Sequence, residues 1–171
     1  ISASRRTDIP STHCKWFLEK LKDKYVLVQN PFNKNKFYKV DLSKENVDII
    51  VFWSKNPNID FLEEVRNMGY KFYIHFTITA YDKNIEKNIP NKELLIKKFI
   101  NISDRFKKDK IVWRYDPIIL NKEFNSNYHI KNFSYISNAL KNYTDECIFS
   151  FVQIYSKIKN VFKDINNDIE E

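Results

Sequence analysis

The sequence predicts an α/β fold, read as a partial, open TIM-like β/α barrel of about five parallel strands with a β-hairpin inserted near the N-terminus. Three observations predict it. Short apolar runs alternate with helical stretches along the whole chain, an order that implies parallel strands joined by right-handed crossovers. The run VDIIVFW at 47–53 is almost continuously apolar, as in a strand buried on both faces. KFYIHFTIT at 71–79 instead has two unlike faces, Phe72, Ile74, Phe76 and Ile78 against Tyr73, His75, Thr77 and Thr79. A polar strand face suits a barrel lumen better than a sheet covered by helices on both sides. The strand–helix units are too few to close an eight-fold barrel of roughly 250 residues.

The elements follow in order. Residues 1–5 are extended and end in the polar break Arg6-Thr7-Asp8. A helix opens at Pro10-Ser11, with Ser11 or Thr12 as its cap and an apolar stripe at Trp16, Phe17, Leu18 and Leu21. YVLVQN at 25–30 and KFYKVDL at 36–42 make the hairpin. A helix at 59–68 stops at Gly69, the expected left-handed C′ residue. Helices are expected at 91–107 and 128–141, strands at 110–115 and 146–155, and a further helix from Lys157 onward.

Composition bounds the rest. A chain of 171 residues, 43% hydrophobic and 16% aromatic, suits one globular domain, 1–171, packed largely by Phe and Tyr. No apolar run approaches the length of a membrane span and the N-terminus lacks a signal-peptide core, so a cytoplasmic location is expected. Gly69 is the single glycine, which excludes GxGxxG, GxxxxGK[ST] and GxSxG chemistry, because each needs several glycines for close backbone approach. Cys14 and Cys147 are the two cysteines. They form no metal knuckle and read as small buried hydrophobes. His13 and His129 show no ligand spacing, so no metal site is expected. His75 reads as a hydrogen-bonded core histidine or a catalyst. The net charge of +7 admits a nucleic-acid partner, yet the lysines are interspersed with acids, as on solvated helix faces.

In this architecture ligands bind at the C-terminal ends of the strands. Those ends carry Arg5, Arg6, Thr7 and Asp8, then Trp53, Lys55 and Asn56, then Thr77 and Thr79, then Arg114 and Asp116, then Gln153 and Tyr155, with Asn30 and Asn33 in the hairpin loop. Arg5-Arg6-x-Asp8 and Arg114-x-Asp116 suit a planar carboxylate or phosphate gripped bidentately while the Asp orients the Arg or accepts a proton. Internal ion pairs at the rim are the alternative. Asp8, Lys55 and Asp116 are the candidate catalytic groups. Lys55 is either a cation for the anion, a desolvated base, or a solvated rim lysine.

SASRRTDIP, VLVQNPFN, DIIVFWSKNP, FTIT, WRYDPIIL and IFSFVQIY together resemble the microbial family called domain of unknown function 1848, over essentially the whole chain. The resemblance implies kinship with radical S-adenosylmethionine enzymes, with a 4Fe-4S cluster held by a C-terminal group of cysteines. This sequence has no such group. It is therefore expected to be the N-terminal portion of a longer protein, inactive alone, or a short form without the cluster. Three readings follow: the barrel portion of a radical S-adenosylmethionine-like enzyme, a nucleic-acid-binding or processing protein stacking bases on Trp53, Trp113 and Tyr155, or a cluster-free barrel for a small phosphorylated or carboxylated metabolite. The open barrel edge is expected to be covered by a homo-oligomer partner or by further chain.

Overall fold

The computed structural model describes residues 1–152, so the expected helix after Lys157, and Gln153 and Tyr155, lie outside the described residues. The fold is mixed α/β, in two compact units, Ile1–Phe76 and from Thr77 onward. No helix among the described residues is long and apolar enough to cross a membrane.

In the first unit the N-terminal segment runs parallel to β3 (Ile50–Ser54): Val51 N–H donates to Ile1 O and Ala3 N–H to Val51 O, both at 2.8 Å. β3 pairs in parallel with β4 (Phe72–Thr77), Ile50 opposite Phe72 and Trp53 opposite His75. Ile50, Phe52, Phe72, Ile74 and Phe76 are buried on one face, against α2 (Cys14–Asp23) and α3 (Ile59–Asn67) through edge-to-face contacts of Phe17, Phe52 and Phe61. Such pairs add about 0.5–1.5 kcal/mol beyond area burial. β3 corrects the expectation of burial on both faces: it alternates, with Val51 and Trp53 only half-buried, because its second face carries the polar site described below.

The first helix starts earlier than Ser11. Asp8 caps α1 (Ile9–Thr12), its carboxylate accepting from Ser11 N–H at 3.1 Å. Pro10 fits that first turn because its missing N–H would have no partner there anyway. The hairpin β1 (Tyr25–Gln29) and β2 (Phe37–Asp41) pairs antiparallel as expected, Val26 opposite Val40. α3 ends in a Schellman motif: Gly69 at φ 85° donates to Arg66 O at 2.8 Å and Tyr70 N–H to Val65 O at 3.2 Å.

In the second unit α4 (Lys92–Phe106) and α5 (Ser126–Leu140) are capped by Asn91 and Asn125. β5 (Ile111–Ile118) pairs in parallel with β6 (Cys147–Phe151), with an irregularity between Tyr115 and Ile118. β5 runs past its expected end at Tyr115, through Asp116 and the cis-linked Pro117. The irregular register accommodates a residue that cannot donate to the ladder. Trp113 and Tyr115 are buried against Phe133 of α5, whereas Phe149 and Phe151 of β6 are exposed. Both cysteines are free and partly exposed rather than fully buried. Partial burial still raises both thiols, Cys147 to about 11, which keeps them protonated and weakly nucleophilic at neutral pH.

Candidate functional site

After Ala3 the chain leaves the sheet through Ser4, a non-glycine residue at φ 70°. A left-handed residue there costs about 1 kcal/mol and turns Arg5 and Arg6 out at the strand end. The Arg5 guanidinium lies over the Trp53 indole, 5.9 Å from its centroid. Trp53 in turn stacks flat on His75, with centroids 5.0 Å apart and planes 6° from parallel. Tyr73 meets the edge of His75 at 5.2 Å. Register explains the stack, since Trp53 and His75 sit opposite each other on neighbouring strands. The histidine of the polar strand face is thus one layer of a guanidinium–indole–imidazole column. Arg5 makes no ion pair among the described residues.

Asp8 does not salt-bridge either arginine. One carboxylate oxygen caps α1 and the other accepts from Lys55 N–H at 2.8 Å. The carboxylate therefore ties the Arg5-Arg6 loop to the end of β3 and fixes where Lys55 begins. Asn56 N–H donates to the buried Ser54 hydroxyl at 3.1 Å. Arg6 reaches the hairpin, Nη1 donating to Gln29 O at 3.0 Å. Thr7 is exposed, and its carbonyl accepts from Ile9 N–H. Asn30 and Asn33 shape the hairpin loop: Asn30 Oδ1 accepts from Phe32 and Asn33 N–H, its amide donates to Tyr38 Oη at 2.9 Å, and Asn33 Oδ1 accepts from Asn35 N–H.

In the second unit Arg114 and Asp116 share a face of β5, two residues apart, and form an ion pair. The other Asp116 oxygen accepts from the Ser150 hydroxyl of β6. The Arg–carboxylate set at this position is thus an internal pair, extended by a serine that was not among the expected site residues. Its signal was there: Ser150 is the one polar residue in CIFSF. Thr77 ends β4 half-buried. Thr79 is buried, and its hydroxyl has no hydrogen-bond partner among the described residues.

Behind β5 lies a polar network that the sequence did not suggest. Tyr115 Oη and His129 Nδ1 are 2.9 Å apart, and His129 Nε2 lies 2.9 Å from Ile119 O. With Nε2 carrying the proton to that carbonyl, Nδ1 accepts from the tyrosine. Tyr81 Oη accepts from Ile119 N–H at 2.7 Å and donates to Pro117 O at 2.9 Å. Burial pushes the His129 pKa down and both tyrosines well up. Tyr81 Oη and His129 Nε2 hold the 117–119 bend, and Tyr115 Oη holds the other ring nitrogen. Lys92 is similarly employed, donating to Ala80 O at 2.8 Å and Asn132 Oδ1 at 2.9 Å, with its pKa lowered by burial.

Among the described residues no group of three His, Cys, Asp or Glu is placed to hold a metal ion. An iron–sulfur cluster needs three or four closely placed thiolates, and the chain has two cysteines, one in each unit. This donor set does not fit one. Trp113, expected among the base-stacking groups, is in the core, its Nε1 donating to Ile78 O at 2.9 Å. It is closed to nucleobases.

No curated protein and no solved structure matches the chain. A family model does match, over residues 1–171. The chain belongs to the family described as domain of unknown function 1848, DUF1848.

Proposed function

We propose that this chain is the ligand-binding framework of a radical S-adenosylmethionine-like enzyme, an open β/α barrel whose strand ends hold a planar or anionic group. The observation that carries the reading is the Arg5–Trp53–His75 column. A guanidinium with no carboxylate partner among the described residues, laid over a flat indole, attracts negative charge while its aromatic neighbour offers a stacking surface. Asp8 supports it as a positioning residue, since its carboxylate is committed to Ser11 and Lys55. Thiolates for a cluster would have to come from outside this chain, so no chemical step is assigned to the residues described.

The test has two arms. Calorimetric titration of the chain with S-adenosylmethionine, small carboxylates and phosphate esters should detect one ligand whose binding Arg5→Ala and Trp53→Ala each weaken. No binding across that panel would sink the binding reading. The enzymatic reading is tested on the product of the whole gene, reconstituted anaerobically with iron and sulfide. Failure to hold iron and to cleave S-adenosylmethionine would refute it and leave a cluster-free binding domain for a small phosphorylated or carboxylated metabolite. A nucleic-acid partner rests on the +7 charge and, with Trp113 in the core, on Trp53 as a stacking group. It would show as oligonucleotide binding that falls steeply between low and physiological salt.

A further inference from the structure

The first unit contains a second feature that the stacked column does not use. A cleft of about 730 Å³ opens between the N-terminal segment, α1 and α2 on one side and the β1–β2 hairpin on the other. That is the size of a site for a drug-sized molecule. Its floor is core: Ala3, Ile9, Phe17 and Leu42 are buried. The hairpin wall is made by Val26, Val28 and Val40. Strand alternation leaves these valines half-buried, while Tyr25 and Leu27 are exposed, Leu27 at the edge of the lining. Three short β-branched side chains do not fill the space in front of Phe17, although protein interiors normally pack to the density of organic crystals. Trp16, 42% exposed, stands at the rim.

The charged side chains that line the cleft have one sign: they are Arg5 and Arg6, and no carboxylate is in the lining. Arg6 spans it, with one guanidinium N–H on Gln29 O and no ion pair among the described residues, leaving four of its five donors for another acceptor. Ser4 lines the same wall, left-handed at φ 70°, its hydroxyl buried without a partner among the described residues. Strained backbone and unsatisfied polar atoms concentrate where a ligand completes the structure.

We infer that this cleft binds a single-chain amphiphile, a linear apolar tail with a carboxylate or phosphate head, the tail along the valine wall and the head on Arg6. The cleft shares Arg5 with the column, but Trp53 and His75 do not line it, so the inference rests on Arg6 and the valine wall.

The experiment titrates the 171-residue chain calorimetrically with decanoate, decyl phosphate and decylammonium, all below their micellar concentrations. One anionic amphiphile should bind per chain, with decylammonium at least about ten-fold weaker. The better of the two anionic heads separates a fatty-acid source from an alkyl-phosphate source. Shortening decanoate to octanoate removes two buried methylenes and should weaken binding roughly fifteen-fold. Arg6→Ala should cost about ten-fold for the anions and nothing for decylammonium. Val28→Phe, which fills the wall without adding charge, should reject the ten-carbon tail. No saturable binding, or equal binding of all three head groups, would overturn the proposal. So would a dimer in solution that Leu27→Glu breaks, which would assign the cleft to a second copy.

Discussion

Asp8 offers the sharpest test of how the site is built. Its carboxylate accepts from Ser11 N–H at 3.1 Å and, 47 residues away from Asp8, from Lys55 N–H at 2.8 Å. Asp8→Ala removes the N-cap of α1, worth about 1 kcal/mol. It also leaves the part-buried Lys55 amide without an acceptor, worth about 1–3 kcal/mol. The sum is about 2–4 kcal/mol, and for a chain of this length each kcal/mol shifts the melting temperature by roughly 2–4 °C. Asp8→Ala should therefore melt about 5–15 °C lower. Asp8→Asn keeps one acceptor oxygen and should lose about half as much. The assay is thermal unfolding followed by far-UV circular dichroism, with urea titration as a check. If Asp8→Ala melted within about 1 °C of the parent, the carboxylate would not be holding these two loops. It would then be free for ligand or proton, and its place as a positioning residue would be refuted.

Other perturbations separate the remaining roles. Tyr115→Phe takes the hydroxyl from His129 Nδ1 and should cost about 1–3 kcal/mol in urea unfolding; a neutral result would mean the ring nitrogen finds another donor. His129 has a folded pKa below its ordinary 6.5, so the unfolded chain takes up the proton first as pH falls. Stability is then full above that value and lost as pH drops from it through the lowered folded value; melting curves from neutral to mildly acidic pH should be steeper for the parent than for His129→Leu, and equal slopes would refute this. Lys24, the C-cap of α2 at φ 62°, should gain about 0.5–1 kcal/mol when replaced by glycine, read as a higher urea midpoint; a lower midpoint would mean its side chain matters more than its backbone. Ser150→Ala should cost at most about 1 kcal/mol, because Arg114 still pairs with Asp116; a larger loss would show that the serine and not the arginine carries Asp116.

Much of this protein was legible in its sequence, because it follows from local chemistry. Period-two alternation in FYIHFT set which face of β4 is buried, as Phe72, Ile74 and Phe76 show. Gly69 ended α3 because a left-handed C′ residue favours glycine, and the Asn-Pro-Phe-Asn stretch set the hairpin loop through Asn side chains that bond their own backbone. The strand–helix order placed Thr77 at the end of β4 and Lys55 and Asn56 just past β3, whereas Arg114 and Asp116 lie within β5, which runs on to Ile118.

The partners of the candidate site residues were not legible in the sequence. Asp8 stands beside two arginines in the sequence, yet it bonds an amide 47 residues away. Arg5 is covered by an indole, and that indole by a histidine. The register of β3 against β4 and the turn at Ser4 set those distances, and neither is written in any single segment. His129, read only as a helix residue without ligand spacing, became a bridge between Tyr115 and the 117–119 bend. The cleft beside the hairpin arose because three valines face a space larger than they fill. Periodicity and capping act over a few residues, so the sequence determines which side chains face inward and where elements stop. What each inward side chain touches depends on register, packing and turns between distant segments, and only the tertiary structure decided that.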